Sequence, residues 1–437
     1  MPSVAENQPA FTPMDVAVVG GGLGGLAAAV ALRRAGHKVR VYERRDFNVE
    51  VGASISCAAN GTQWLHAWGV DVPGMLPCVL MKLVMRDWES GDILNQYNLE
   101  GYEQEWGHVY NMFHRQDMHA GLLKAATSEE GEGTPAEIVI DHICETVDSK
   151  AGTVTFRNGT TIKADLIIGA DGIRSAVRSE IGIVADKKSA PQTCYRLNVL
   201  TKDIKERGLV DYAYEPAIQF WGGMEGANGR SKYYKIVMTP CHGTDVVSFY
   251  CFMPTELTEH HQEGFTFAEA PVADILKGKY DELDPDAVAL IKNSIERMPW
   301  RLYVHQPYET WVKDTTCLLG DAAHPMMPHQ SQGACQAIED AAALGLIFSP
   351  SNPQFTGSSE NIHRGLKLYE RVRKPRATRV QMASARATEN LNERIGFTSC
   401  SPSSELLRAK QGMLTISEMN SYRMEDHVKA LLQETEV

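Results

Sequence analysis

The stretch that decides the fold is Asp15-Val16-Ala17-Val18-Val19-Gly20-Gly21-Gly22-Leu23-Gly24-Gly25-Leu26-Ala27-Ala28-Ala29. Val16 to Val19 is a continuous, valine-rich run, the pattern of a parallel strand buried on both faces. Gly20-x-Gly22-x-x-Gly25 follows. Beyond it Leu23, Leu26, Ala27 and Val30 recur at helical spacing, and Gly36 sits where a helix C-cap falls. A second strand, Val39-Arg40-Val41-Tyr42-Glu43, ends in an acid 23 positions after Gly20. Each part has a physical task. Glycines let the backbone turn tightly and approach a pyrophosphate, the helix N-terminus offers unpaired N–H groups, and the acid bonds a ribose hydroxyl. Glycines alone are a weak signal; strand, glycines, helix, strand and acid in register predict a nucleotide-binding βαβ unit.

The remainder of the chain bounds the partners. With 437 residues, 43% of them hydrophobic, it can bury the core of one large domain or two. A net charge of −12 argues against a nucleic-acid partner, which needs a basic surface. The nine cysteines include no C-x-x-C pair, which points to reduced thiols, a cytoplasmic setting and no metal site. Met1 to Phe11 is polar and carries no signal-peptide pattern. The longest apolar stretch, Val16 to Leu32, changes from strand to helix periodicity and holds five glycines, so no integral membrane segment is expected.

Further along, Ala59-flanked Asn60 to Trp68 reads as a short helix, and a second begins near His114-Arg115 with Met118, Leu122 and Leu123 on one face. Thr153 to Arg157, then Asn158-Gly159, then Thr160 to Lys163 predict a hairpin with a type I′ turn. Pro191 to Pro254 reads as strands with turns, a second, antiparallel layer. Asp284-Pro285 is a helix start with cap and N1 proline, expected to run to about Met298, and from Gly333 the pattern is mostly helical.

Two more stretches carry chemistry. Leu166-Ile167-Ile168 leads into Gly169-Ala170-Asp171-Gly172, which can place a carboxylate and backbone amides beside a phosphate or form an ordinary Asp-Gly turn. Leu318-Leu319-Gly320-Asp321 puts an acid at the C-terminal end of a strand, where ligands lie in open α/β sheets. Gly333-Ala334 then opens a helix whose N-terminus can stabilise an anion, and whose Ala337, Ala341 and Ala342 permit close packing.

In this order, the three stretches resemble the single-component FAD-dependent aromatic hydroxylases, the salicylate and para-hydroxybenzoate hydroxylase class and its fungal branch, over roughly Asp15 to Ser384. The resemblance implies an α/β (α+β) fold: a Rossmann-like FAD-binding βαβ domain with a parallel sheet, interleaved with a smaller antiparallel-sheet substrate domain and C-terminal helices. The expected division is 12–78, 106–186 and 310–375 for FAD, 79–105 and 187–309 for substrate, and 376–437 as a helical region. It implies that Gly20, Gly22 and Gly25 hold the FAD pyrophosphate and that Glu43, with Arg44 beside it, binds the adenosine ribose. Ala53 would lie along the flavin, Arg115 would reach the pyrophosphate or ribityl region, and Asp171 and Asp321 would serve FAD. Gly333 and Ala334 would face the isoalloxazine. One departure lies beside them: Ser331-Gln332-Gly333 stands where the family often has Gly-Gln-Gly. A single dinucleotide fingerprint agrees with NAD(P)H as a transient co-substrate.

The expected reaction is hydroxylation of a phenolic or hydroxybenzoate-type ring with NAD(P)H and O2 through a flavin C4a-hydroperoxide, with loss of CO2 where the attacked carbon bears a carboxylate. A dearomatase or epoxidase of a polyketide or indole is the alternative. The ring oxygen needs a cation or tuned donor. Strand alternation around Arg196 puts Tyr195, Leu197 and Val199 on one face and Cys194, Arg196 and Asn198 on the other, which is either a half-polar pocket wall or a solvent-exposed edge. The resemblance, whose members place an arginine on a comparable strand, implies Arg196 as the candidate. Ser231 to Val237 reads as the next strand, with one of Tyr233 and Tyr234 facing the cavity, and Phe220 and Trp221 as apolar walls. His329 is a candidate proton relay, whereas His324 reads as bonded within its own turn. The basic run Arg371 to Arg376 reads as structural. The partners expected are a small aromatic substrate, O2 and NAD(P)H, for a monomer or homodimer.

Overall fold

The computed structural model describes residues 11–47, 52–226, 228–258, 270–352, 355, 358–394 and 402–434. Most of the polar lead, Val51 and Cys400 lie outside these residues. Asp15–Val19 pairs in parallel with Leu166–Gly169 on one side and with Lys38–Tyr42 on the other. Flanked this way, Val16, Val18 and Val19 are at most 2% exposed, which is why the run is valine-rich rather than alternating. The full sheet has six strands, in the order Val312–Lys313, Thr316–Leu318, Leu166–Gly169, Asp15–Val19, Lys38–Tyr42 and Glu137–Val139. All three chemistry-bearing stretches therefore leave neighbouring strands at one end of one sheet.

The first connection is as tight as its glycines demand. Gly20 has φ +109, and a Cβ there would lie 2.4 Å from the Ala170 carbonyl oxygen. A Cβ on Gly25 would lie 2.0 Å from the Gly20 oxygen, so only glycine lets the helix Leu23–Arg34 begin against its strand. That helix ends at Ala35, and Gly36 follows at φ +88 as expected of a C-terminal glycine.

The second sheet has seven strands, in the order Ile295–His305, Lys187–Leu200, Val246–Pro254, Lys235–Cys241, Ala217–Gly222, Lys82–Arg86 and Ile93–Asn98. It is antiparallel except where Ala217–Gly222 meets Lys82–Arg86. Tyr195, Leu197 and Val199 face a core shared with Trp221, Ile236, Met238 and Phe249, as alternation predicts.

Three local expectations need correction. The hairpin Thr153–Phe156/Thr161–Lys163 forms, but its turn is not type I′. Gly159 N–H donates to the Phe156 carbonyl at 2.9 Å, and only Gly159 takes a positive φ, so a type I turn ends in a glycine bulge. The Asn158 amide secures this by donating to the Asp141 carbonyl and accepting from Thr160 N–H. The helix opened by Pro285 has its Asp284 cap but ends at Lys292, because Ile295–His305 is drawn into the seven-stranded sheet beside Lys187–Leu200. The strand expected from Ser231 begins only at Lys235.

The long helix Ser359–Arg386 runs through Pro375 without a break and turns Arg373 and Arg376 of the basic run inward. Arg373, fully buried, donates to Glu339 at 2.6 Å and to Asp340 at 2.8 Å, and Arg376 donates to Glu339 at 2.7 Å. Burial works to raise both carboxyls. Arg376 and Arg373 outweigh it at Glu339, and His324 and Arg373 outweigh it at Asp340, so both are held below their ordinary values. A carboxylate depressed in the folded state contributes stability above its unfolded pKa, near 4, and that stability is lost as pH falls through the folded value. Arg373→Met removes the one cation that these two carboxylates share. Urea denaturation at neutral pH is expected to show a loss of about 3–5 kcal/mol, shrinking as the pH is lowered below about 4; a loss under about 1 kcal/mol would show that the cluster is dispensable.

Candidate active site

A cavity of about 450 Å³ lies between the two sheets, within the size range of small-molecule sites. Gly22 and Gly24 border it from the first glycine turn, Ala170 and Gly172 from the second, and Gly320, Asp321, Gly333 and Ala334 from the third. At Gly22, Gly172 and Gly333 an added Cβ would meet no heavy atom within 4 Å, so the backbone there faces open space that a side chain would fill. Such a cradle of bare backbone is what a pyrophosphate and a flat ring system require.

The geometry of the third turn comes from one carboxylate. Asp340 Oδ2 accepts from Gly320 N–H at 3.0 Å and from His324 Nε2–H at 2.6 Å, while its Oδ1 takes Arg373. The turn carrying Asp321 is thus held at both ends by the helix Gly333–Ile347, whose N-terminus faces the same cavity. Asp321 opens onto the cavity, yet the protein around it raises its pKa by desolvation, opposed by His324 and Arg115. Arg115 opens the helix Arg115–Thr127 and borders the cavity; burial, then Arg196, lowers its pKa.

Not every expected cofactor residue borders the cavity. Gly22, Ala53, Arg115, Asp321, Gly333 and Ala334 do. Gly20 and Gly25 instead permit the close packing described above. Glu43 is half-buried at the strand end, accepting from Gly21 N–H at 2.7 Å and Arg45 N–H at 3.2 Å. Arg44 is exposed. The Asp171 carboxylate accepts from Ser175 Oγ–H, Ala176 N–H and Val177 N–H, so it caps a helix while its neighbours present backbone to the cavity. Sequence reading missed His119, buried, whose Nε2–H donates to the Gly21 carbonyl at 2.7 Å and steadies the first turn.

The opposite wall is built by strand register. Arg196 lies directly across from Tyr250, Tyr250 from Val237, and Val237 from Phe220. The next row is Cys194, Phe252 and Lys235. Residues paired across antiparallel strands point to the same side, so both rows face one way, and all but Cys194 border the cavity. The Arg196 guanidinium stacks over Trp300 at 3.7 Å; burial lowers its pKa, with Tyr250 opposing.

Tyr233 and Tyr234 do not border the cavity, contrary to expectation. Tyr234 N–H closes a turn onto the Ser231 carbonyl, and its ring packs against Trp88 and Tyr280. Because the strand starts at Lys235, the alternation that presents Val237 and Thr239 presents Lys235, not a tyrosine. Phe220 is a wall as expected, but Trp221 points into the opposite core and donates to Asp284. The His324 ring bonds Asp340 of the helix Gly333–Ile347 rather than a group of its own turn, and His329 is buried against the cavity. Ser331 takes φ +55, the left-handed conformation a glycine adopts freely. It is held there by Ser56 Oγ–H donating to its carbonyl and Arg394 donating to its hydroxyl, which explains how serine serves in place of the family's glycine.

The family model described as FAD binding domain matches residues 13–384. The chain is 32% identical over 388 residues to an FAD-dependent monooxygenase of Aspergillus candidus, spanning 85% of this chain and 84% of that one. It is 30% identical over 373 residues to hispidin-3-hydroxylase of Neonothopanus nambi, spanning 83% and 86%. A solved salicylate hydroxylase substrate complex shares the fold, with a TM-score of 0.70 at 21% identity over 95% of this chain and 97% of that one. The chain belongs to this FAD-binding family, among its FAD-dependent monooxygenases.

If Glu43 holds the adenosine ribose, Glu43→Ala should weaken FAD retention at least about tenfold, the loss of one hydrogen bond involving a charged group. Flavin absorbance after extensive dialysis measures this; unaltered retention would remove Glu43 from the site.

Proposed function

We propose that this enzyme uses NAD(P)H and O2 to hydroxylate a phenolic or hydroxybenzoate-type ring. The observation that carries the reading is continuity: the cavity that runs past Gly22, Asp321 and Gly333 also reaches Arg196, Phe220 and Phe252. The substrate wall carries Arg196, Lys235 and Arg394 amid apolar side chains, and among the described residues Asp321 is the only acid bordering the cavity. That balance suits a flat ring with an ionised oxygen. Relatives named as hydroxylases support it.

When bound, FAD supplies the oxygen-transfer chemistry, and Gly22, Arg115, Asp321, Gly333 and Ala334 would hold it. The chain's own residues do the rest. Phe220 and Phe252 flank the ring and shield its faces, and Arg196 stabilises negative charge on its oxygen. No described helix is long and apolar enough to cross a membrane. A cytoplasmic monomer or homodimer with no nucleic-acid partner completes the proposal.

The test is a visible spectrum of the purified protein, followed by a phenol and hydroxybenzoate screen for stimulated NADH and NADPH oxidation and hydroxylated product. A protein that stays colourless with added FAD, or that hydroxylates none of these rings, defeats the reading. Arg196→Ala is expected to lower turnover about 10²-fold with FAD still bound; unchanged kinetics would exclude Arg196.

A further inference from the structure

Lys235 is a buried amine to which the reaction described above gives no proton-transfer role. It is 1% exposed and borders the cavity beside Phe252. Its Nζ donates to His329 Nδ1 at 2.9 Å and lies 3.5 Å from the Ala387 carbonyl oxygen. An amine whose two N–H groups point at those two acceptors keeps one tetrahedral position for its lone pair. His329 is itself fixed: its Nε2 lies 2.6 Å from the Gln192 amide nitrogen, and Gln192 Oε1 is a buried oxygen without a partner. Turning the Gln192 amide over lets His329 Nε2–H donate to Oε1 and leaves Nδ1 as the acceptor for Lys235.

We infer that Lys235 is the base that ionises the ring hydroxyl of the substrate, and that His329 is the positioning residue that holds its side chain. The inference rests on the hydroxylation reading above. In the step, the substrate O–H bond breaks, its proton forms an N–H bond at Lys235 Nζ, and the electron pair stays on the ring oxygen beside Arg196. No oxidant enters.

The surroundings favour a neutral amine. Burial brings the Lys235 pKa down to about 7, with the Cys194 thiol opposing and the Arg394 guanidinium assisting. Burial, then Lys235 and Arg394, keeps the His329 imidazole uncharged far below its ordinary range. Cys194 is pushed up to about 12 by burial and remains a thiol, and Tyr280, raised likewise by burial, donates to the Lys235 carbonyl as a neutral phenol. Among the described residues no carboxylate bonds the Lys235 nitrogen.

The experiment uses the holoenzyme with the phenol chosen by the screen and its ring-fluorinated analogues, whose hydroxyls ionise at progressively lower pH. Wild type is expected to hydroxylate them at similar rates, with an acid limb near pH 7. Lys235→Met, with flavin absorbance intact, is expected to lose roughly 10²–10⁴-fold on the parent phenol and to recover stepwise as the analogue becomes ionised in the assay buffer. His329→Asn should shift the acid limb and lower the rate less. An equal loss on every analogue, or no loss, overturns the inference while leaving the hydroxylase reading standing; a wild type inactive on every phenol overturns both. Independently of any variant, wild type should bind the parent as phenolate, seen by ultraviolet difference absorbance, about two units below the phenol's own pKa. Binding as the neutral phenol contradicts the inference.

Discussion

The arrangement of this active site depends on a carboxylate that never touches it. Asp340 binds Arg373 through one oxygen and Gly320 and His324 through the other, all in the interior. A charged group in that position is costly unless it is paired and hydrogen-bonded, and here both oxygens accept. The consequence is positional. The helix N-terminus at Gly333 and the turn at Asp321 cannot move independently, because the same side chain holds both. The neighbouring Glu339, bound by Arg373, Arg376 and Asn60, ties that helix to the segment following the strand Ser54–Cys57, which forms part of the cavity wall. Breaking any one partner would leave an uncompensated charge, so the cluster gives the cavity wall at Asp321 and Gly333 one geometry.

The opposite wall of the cavity is organised by a different constraint, the two-residue period of a sheet. With Tyr195, Leu197 and Val199 required in the core, Arg196 must point the other way, and antiparallel pairing then assembles Tyr250, Val237 and Phe220 beside it. A slip of one residue in any strand would exchange cavity wall for core. Gly222, at φ +71, and the turn before Lys235 set that register.

These two constraints explain what was legible in the sequence. The first βαβ unit was readable because strand, glycines and helix are adjacent in the chain and each obeys a local rule. The face that Arg196 takes was readable for the same reason, since alternation over a long strand is a local signal, although alternation by itself did not distinguish a cavity wall from an exposed edge. The tyrosines were misassigned because the start of their strand is decided by the turn closing at Ser231, which the run Ser231 to Val237 does not announce. Had the alternation been anchored on Val237, it would have selected Lys235. The hairpin turn and the end of the helix after Asp284 failed for a related reason: Asp141 and the strand Lys187–Leu200, distant in sequence, decide them. The Asp340 cluster joins residues from four separate stretches and left only the basic run Arg371 to Arg376 as its trace.

The central claim is that three separated turns converge on one coenzyme. A crystal structure of the FAD-bound protein tests it most directly. The account predicts the pyrophosphate density against Gly22 and Arg115, the isoalloxazine against Gly333 and Ala334, and Asp321 within hydrogen-bond distance of the chain joining them. Flavin density elsewhere, or a ring turned away from the Arg196 wall, would contradict it.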